Sequence, residues 1–401
     1  MKHVEGGVTV PRGYKAAAAL AGIKPTSSKK DCALVVSEVP AVTAGVFTTN
    51  LVQAAPVRWC REVCRSGKAR AVFINSGNAN ACTGDQGYAD TAATAGYVAE
   101  QLGMTAREVL VCSTGVIGVP LPMDKIRRGV ELCAAGLSPD AGHDAALAIM
   151  TTDTVPKEVA VELQLDGGVV RLGGMAKGAG MISPHMATMI AVITTDAAVS
   201  PDALSAALKR AVDRSFNRIC VDNDMSTNDT VLVLANGAAG IKELLPDTKH
   251  FQRFEEALCE VCINLAQAIV RDGEGATKFV EIAVLGARDN EDAMRVARAV
   301  AQSQLCKTAF FGQDPNWGRI ACAAGYSGAT FDGNHLSVFL DNVCVMKNGM
   351  RADYQESDAA AVMKKPSFRI EIRLGNGTGE AVFWTSDLSA EYVRINADYR
   401  S

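Results

Sequence analysis

The densest chemistry-bearing pattern in the chain is Gly173-Gly174-Met175-Ala176-Lys177-Gly178-Ala179-Gly180 followed by Met181-Ile182-Ser183-Pro184-His185-Met186-Ala187-Thr188-Met189-Ile190. A threonine hydroxyl can attack the carbonyl that precedes it, converting the Ala187–Thr188 amide to an ester that water then cleaves. The freed Thr188 carries a nucleophilic hydroxyl and, on the same residue, an α-amine. With a reference pKa of about 7.7–8.0, that amine can act as the hydroxyl's base near neutral pH. No histidine is required, which suits a chain whose five histidines (His3, His143, His185, His250 and His335) are scattered. Composition alone admits a plainer reading, in which the glycines form a loop entering a buried strand at 189–194 and Thr188 merely starts it.

Other chemistries find little footing. Gly325-Tyr326-Ser327-Gly328-Ala329 lacks the second glycine of a nucleophile elbow. The glycines around Lys177 fit neither the Walker A spacing nor G-x-G-x-x-G. Cys259 and Cys262 form a C-x-x-C, but inside the helical pattern Phe254, Leu258, Val261, Leu265, Ile269, with no second pair to complete a zinc site. They read as core, and no metal site is indicated. The twelve cysteines are spread from Cys32 to Cys344, mostly in apolar contexts, and read as buried free thiols.

The elements that must position such a threonine alternate between strand-like and helical patterns, which favours a layered α/β or α+β architecture. Val72-Phe73-Ile74 and Val109-Leu110-Val111 read as buried strands, and Tyr88, Ala92, Ala95, Ala99 and Leu102 recur between them at helical spacing. Ser200-Pro201-Asp202 predicts a capped helix start running through Val212, with Leu204, Leu208 and Ala211 inward. A soft boundary falls near residue 280, where 279–285 reads as a strand and 291–305 as a helix with Val296, Val300 and Leu305 inward. Phe368, Ile370, Ile372 and Leu374 then alternate with Arg369, Glu371 and Arg373. With Gly375-Asn376-Gly377-Thr378-Gly379 turning the chain into 381–385, this predicts a one-sided antiparallel hairpin.

At 401 residues, 48% hydrophobic and 21% charged, the chain is globular in composition and long enough for two or three domains. With 40 Lys+Arg against 44 Asp+Glu, it carries no field that would draw nucleic acid or anionic lipid. The uncharged stretch 178–195 contains Ser183, Pro184, His185 and three threonines, too polar to span a bilayer. No apolar run follows Met1-Lys2-His3-Val4-Glu5-Gly6-Gly7, so no secretory signal is visible and the cytoplasm is the expected compartment.

Several blocks, in order, carry a resemblance. They are Gly45-Val46-Phe47-Thr48-Thr49-Asn50, Asn75-Ser76-Gly77-Asn78-Ala79-Asn80, Ser113-Thr114-Gly115-Val116-Ile117-Gly118, Lys177-Gly178-Ala179-Gly180-Met181, Ala187-Thr188-Met189, Ser226-Thr227-Asn228-Asp229-Thr230, Asp272-Gly273-Glu274-Gly275-Ala276-Thr277-Lys278 and Asp314-Pro315-Asn316-Trp317-Gly318-Arg319. Together they resemble the ornithine acetyltransferase family, the self-cleaving glutamate N-acetyltransferases of arginine biosynthesis. The resemblance implies transfer of an acetyl group from N-acetylornithine to glutamate through an acetyl-Thr188 intermediate, after self-cleavage between Ala187 and Thr188. It implies a layered αββα sandwich cut into chains 1–187 and 188–401, two of each associating, with a smaller α+β domain at 280–401. Thr114 and Gly115 match the oxyanion-hole pair, and Thr151, Lys177, Thr188, Glu274, Asn396 and Ser401 match positions that bind substrate. No cofactor is implied; acetyl-CoA is used as a second donor by some members and not by others.

Physically, Lys177 offers a cation for a substrate carboxylate and Glu274 an anion for an ammonium. Without the resemblance, Thr114-Gly115 is an ordinary turn after a strand and Glu274 a solvated loop charge. Tyr392 and Val393 are placed to dock the terminal segment on the core. The sequence departs from the family at His185-Met186 and at Asp222-Asn223-Asp224-Met225, beside the cleavage site and the pocket rim. Two other readings stay open: an N-terminal-threonine aminopeptidase or amidohydrolase of related fold, using water as acceptor, and a non-enzymatic metabolite-binding protein.

Overall fold

The computed structural model describes residues 1–24, 27–183, 189–375 and 377–398. In its first part the strands are β1 (Lys2–Val4), β2 (Tyr14–Ala19), β3 (Cys32–Phe47), β4 (Lys68–Asn78), β5 (Val109–Val116), β6 (Lys157–Leu165), β7 (Gly168–Lys177), β8 (Ile190–Thr195), β9 (Ile219–Cys220) and β10 (Thr230–Ala235). The helices are α1 (Ala55–Arg65), α2 (Gly84–Leu102), α3 (Met123–Ala135), α4 (Gly142–Ala148), α5 (Pro201–Asp213) and α6 (Lys249–Arg271). Among the described residues one sheet runs β1-β6-β7-β8-β10-β3-β4-β5, with β2 also on β3.

The long strand β3 makes this sheet double back. Its first half pairs with β2 and β4 and its second half with β10, with a register shift between Val36 and Ala41. β8 and β10 are apolar runs without alternation, as strands buried on both faces must be. Ile190, Val192, Leu232 and Leu234 join a core shared with β2 to β5, whereas Ala191, Ile193, Val231 and Val233 join the core containing α5 and α6. Helices α5 and α6 pack on β3, β6 and β7, and α1 and α2 pack on β5, so helices cover both outer surfaces of the doubled sheet. This is the layered α/β arrangement expected from the sequence.

Helix α5 begins where Ser200-Pro201 predicts, with Leu204, Leu208 and Ala211 buried. Ser200 takes the extended cap conformation, but its side chain makes no capping hydrogen bond, so the proline and the buried face establish the start.

The second sheet is built from β9 and from β11 (Phe279–Ala287), β12 (Ser337–Leu340), β13 (Val343–Lys347), β14 (Met350–Arg351), β15 (Ser367–Arg373) and β16 (Gly379–Ser386), in the order β14-β13-β12-β15-β11-β16-β9. Its helices are α7 (Asn290–Gln302), α8 (Gln304–Phe311), α9 (Trp317–Gly325) and α10 (Glu356–Lys364), and α11 (Ala390–Asp398) ends the described chain.

The structure departs from two of the sequence expectations. The helix expected over 291–305 is two helices. Ser303 is extended and its side chain accepts from the Cys306 N–H, which starts a new helix, and Leu305 is 61% exposed rather than inward. The hairpin is also not one, because β11 lies between its strands, parallel to β15 and antiparallel to β16. Alternation assigns the faces correctly, with Phe368, Ile370, Ile372 and Leu374 buried, but a face does not name a neighbour. Glu281 of β11 binds both flanking strands, to Arg369 Nη1 at 2.8 Å and to Trp384 Nε1 at 3.0 Å. The glycines of the connection serve its passage over the end of β11, since a Cβ on Gly377 would lie 2.3 Å from Ala287 O.

Cys259 and Cys262 lie buried on α6 as free thiols. Among the described residues no helix is long and apolar enough to cross a membrane.

Candidate active site

A polar cleft enclosing about 590 Å³ of solvent-open space collects Thr114, Gly115, Thr151, Lys177, Glu274 and Asn396, six site residues nominated from sequence. They come from the ends of β5 and β7, the loop after α4, the loop after α6, and α11. Ala187, Thr188 and Ser401 lie outside the described residues. The residue after Thr188 is firmly placed: Met189 N–H donates to Asp229 Oδ1 at 2.8 Å, and Met189 C=O accepts from Thr230 N–H at 3.1 Å.

Thr114 and Gly115 are the closing residues of β5 rather than a turn after it, paired with Ser76 and Gly77 of β4. Gly115 has φ +133°, and a Cβ there would lie 2.3 Å from the Gly77 carbonyl carbon, so only glycine fits. Lys177 Nζ lies 3.3 Å from Thr114 Oγ1, with both residues buried. An ammonium only donates, so Thr114 Oγ1 accepts from Lys177 and its own O–H is free to donate elsewhere. Burial pushes the Lys177 ammonium down from its usual range, while Asp153 supports the charged form. Behind this pair, Asn228 Nδ2 donates to Ala79 O at 2.7 Å and to Ser113 O at 2.8 Å, locking the residue before Thr114.

Sequence reasoning missed the ion network that carries Thr151. Asp153 Oδ1 accepts from Lys157 Nζ at 2.6 Å and from Gly178 N–H at 2.7 Å, and its Oδ2 accepts from Thr151 N–H at 3.0 Å. Lys157 Nζ also reaches Asp272 Oδ2 at 2.6 Å, and Asp272 accepts from Thr154 N–H. The network thus ties the 151–157 loop to the end of α6 and to the residue after Lys177. Only the four-residue spacing of Asp153 and Lys157 hints at it in sequence.

Burial raises the Asp153 carboxyl's pKa, but the Lys177 and Lys157 cations and the Gly178 N–H outweigh that and hold it at about 2. Asp153→Ala leaves Lys157 partly unpaired in the interior and is expected to cost about 3–5 kcal/mol in urea unfolding at pH 7. The folded pKa lies below the unfolded value of about 3.9. The wild-type advantage is therefore complete above that value and is lost as pH falls toward 2. A pH-independent difference between the two proteins contradicts the assignment.

Glu274 is half-buried and hydrogen-bonded rather than a bare loop charge. Its Oε2 accepts from Asn396 Nδ2 at 2.8 Å, its N–H donates to Ala179 O, and a Cβ on Gly180 would lie 2.3 Å from Oε2. Asn396 sits on α11, which has no buried residue. Val393, expected to dock this segment, is 64% exposed, whereas the Tyr392 hydroxyl donates to Asp222 Oδ2 at 3.2 Å. Asp222, at one of the positions where the sequence departs from the family, also accepts from Met181 and Ile182 N–H at 2.6 and 2.8 Å. It therefore fixes the backbone of residues 181 and 182 rather than lying only at the pocket rim.

A hydroxyl backed by a buried lysine, a glycine N–H beside it and a carboxylate across a polar cleft are the equipment of an acyl-transfer enzyme on a layered α/β fold. The chain belongs to the ArgJ family, which it matches over residues 15–401. It is 51% identical over 402 residues to the arginine biosynthesis bifunctional protein ArgJ of Symbiobacterium thermophilum, covering 100% of both chains. It is 51% identical over 391 residues to the protein of that name from Geobacter sulfurreducens, covering 97% of this chain and 99% of that one. The crystal structure of ArgJ from Bacillus halodurans is 40% identical with a TM-score of 0.50, covering 51% of this chain and 97% of that chain.

Proposed function

We propose that Thr188, released by cleavage of the Ala187–Thr188 bond, is the nucleophile that carries the acetyl group, with Thr114 and Gly115 as its oxyanion hole. As a member of the ArgJ family, the chain is an acetyltransferase of arginine biosynthesis, moving the acetyl group of N-acetylornithine to glutamate. Thr188 Oγ attacks the acetyl carbonyl while its proton passes to the Thr188 α-amine. The developing oxyanion accepts from the Thr114 O–H and the Gly115 N–H. As the acetamide C–N bond breaks, ornithine leaves with that proton on its nitrogen. The amine of glutamate then attacks the threonine ester and restores the hydroxyl.

Lys177 is the partner for a substrate carboxylate and Glu274 for an ammonium, with Thr151, Asn396 and Ser401 completing the substrate site. Acetyl-CoA as a second donor would load the same hydroxyl, and no bound cofactor is called for. The two products, 1–187 and 188–401, stay together, two of each, with 280–401 as the smaller domain, and act in the cytoplasm. A solved relative whose chain matches only about half of this one is of the size such a cut leaves.

The observation that carries the reading is the convergence of Thr114, Gly115, Lys177, Glu274 and Asn396 on one cleft, while the Asp229 side chain holds the residue next to Thr188. A covalent acetyl-enzyme demands ping-pong behaviour. Labelled N-acetylornithine is expected to exchange label with free ornithine in the absence of glutamate. Exchange that depends strictly on glutamate points to direct transfer and removes the acetyl-enzyme, and net hydrolysis without exchange supports the aminopeptidase-like reading instead.

A further inference from the structure

An acetyl group ends in a methyl, and a polar cleft has to offer that methyl an apolar wall. Among the described residues lining the cleft, the apolar side chains are Ala79, Ile117 and Met181. Met181 belongs to the Glu274 end, since it follows Gly180, where a Cβ would touch the Glu274 carboxylate, and its N–H is held by Asp222. Ala79 and Ile117 stand at the Thr114–Gly115 end. Ala79 N–H donates to Val116 O at 3.0 Å, which ties it to the residue after Gly115. From the other side, Asn228 Nδ2 donates to Ala79 O at 2.7 Å. Ile117 is bracketed by the same segment, because Gly118 N–H donates to Ala81 O at 2.9 Å. Behind them lies a small apolar cluster of Ala54, Val57 and Ala81, which Ala79 joins and Ile117 packs against.

Bond lengths set where the methyl falls. In an acetamide it lies about 2.4 Å from the carbonyl oxygen, and that oxygen sits about 2.7–3.1 Å from its donors. With Thr114 Oγ1 and Gly115 N as those donors, the methyl is within about 5.5 Å of both. We propose that Ala79 and Ile117 form the acyl subsite and restrict the transferred group to acetyl: the methyl rests against both side chains, and a longer acyl chain meets a wall that does not retreat. The backbone on either side of Ile117 is pinned to residues 79 and 81, and the apolar cluster fills the space behind. Forcing one more methylene into such packing displaces side chains from their preferred positions. The inference rests on the reading of Thr114 and Gly115 as the oxyanion hole.

A competition between two donors reads the subsite directly. Equimolar N-acetylornithine and N-propionylornithine are supplied with glutamate, and mass spectrometry measures the ratio of N-propionylglutamate to N-acetylglutamate at early times. Both donors meet the same enzyme molecules, so the ratio is independent of how much of a variant is folded or cleaved. The wild-type enzyme is expected to favour acetyl by roughly 10–200-fold, the discrimination one methylene supports in an apolar pocket. Ile117→Ala opens the wall and is expected to raise the propionyl share about tenfold or more. Ile117→Val and Ala79→Gly remove less, are the gentler changes to the fold, and are expected to raise it about threefold or more.

Equal formation of the two products by the wild-type enzyme overturns the proposal. So does a product ratio that stays within about twofold of wild type in every variant that folds. Thr114→Ala keeps this inference apart from the reading beneath it. If that variant loses turnover while the Ile117 and Ala79 variants keep the wild-type ratio, the oxyanion hole stands and the subsite alone falls. If it retains full turnover, the oxyanion hole is removed and the subsite with it.

Discussion

Thr188→Ala is expected to remain one chain of 42.1 kDa, where the unaltered protein separates into pieces of roughly 20 and roughly 22 kDa, and to lose acetyl transfer altogether. The reason is that, in the proposed mechanism, one hydroxyl serves twice. It first attacks the carbonyl of Ala187, and the ester so formed is hydrolysed to free the α-amine; the same hydroxyl then receives the acetyl group. Alanine removes both steps at once, and the uncut chain also lacks the base. Thr188→Ser keeps a hydroxyl in place and is expected to retain cleavage. Intact-mass measurement reads the first effect and label exchange the second. Should Thr188→Ala still split into the same two pieces, a contaminating protease makes the cut and the nucleophile assignment loses its support.

For Thr114→Ala the expectation is a fall in kcat of about 10²–10³, the usual consequence of losing one oxyanion donor, with self-cleavage intact. The geometry specifies why this hydroxyl is suited to the task. Lys177 Nζ occupies an acceptor position on Thr114 Oγ1, which leaves the O–H to donate. Gly115 must be glycine to let β5 close against Gly77, so its N–H is held at a fixed place beside that hydroxyl. Asn228 holds the carbonyl of Ser113 just before them. Because the loss belongs to the transition state, kcat and kcat/KM should fall together, and Thr114→Ser should recover most of the rate. A cleaved Thr114→Ala enzyme with full turnover would take Thr114 out of the site.

Local pattern stops being informative at particular residues. Phe368, Ile370, Ile372 and Leu374 announce a strand with one buried face, and the structure agrees. The same alternation is silent about whether β16 or β11 lies alongside, and the nearer strand in sequence is the wrong choice. Val296 and Val300 continue a helical stripe to which Leu305 formally belongs, but Ser303 finds its own cap partner in Cys306 and ends the stripe early. Glu274 looks like any loop carboxylate until α11 brings Asn396 onto it.

Side-chain chemistry, turn residues and periodicity act over a few residues, so the buried strands, the helix at Pro201 and the family of the chain were all legible in the sequence. What joins Thr114 to Lys177, Asp153 to Lys157 and Asp272, Asp229 to Met189 and Glu274 to Asn396 is the doubling back of the first sheet, together with the return of the C-terminal helix to the loop after α6. Most of those partners lie tens to more than a hundred residues apart, a separation that no period of 2 or 3.6 encodes. Only when the apolar faces of β3, β8 and β10 are buried does the chain bring such groups out of water together, and each buried charge or donor is then obliged to find its partner there.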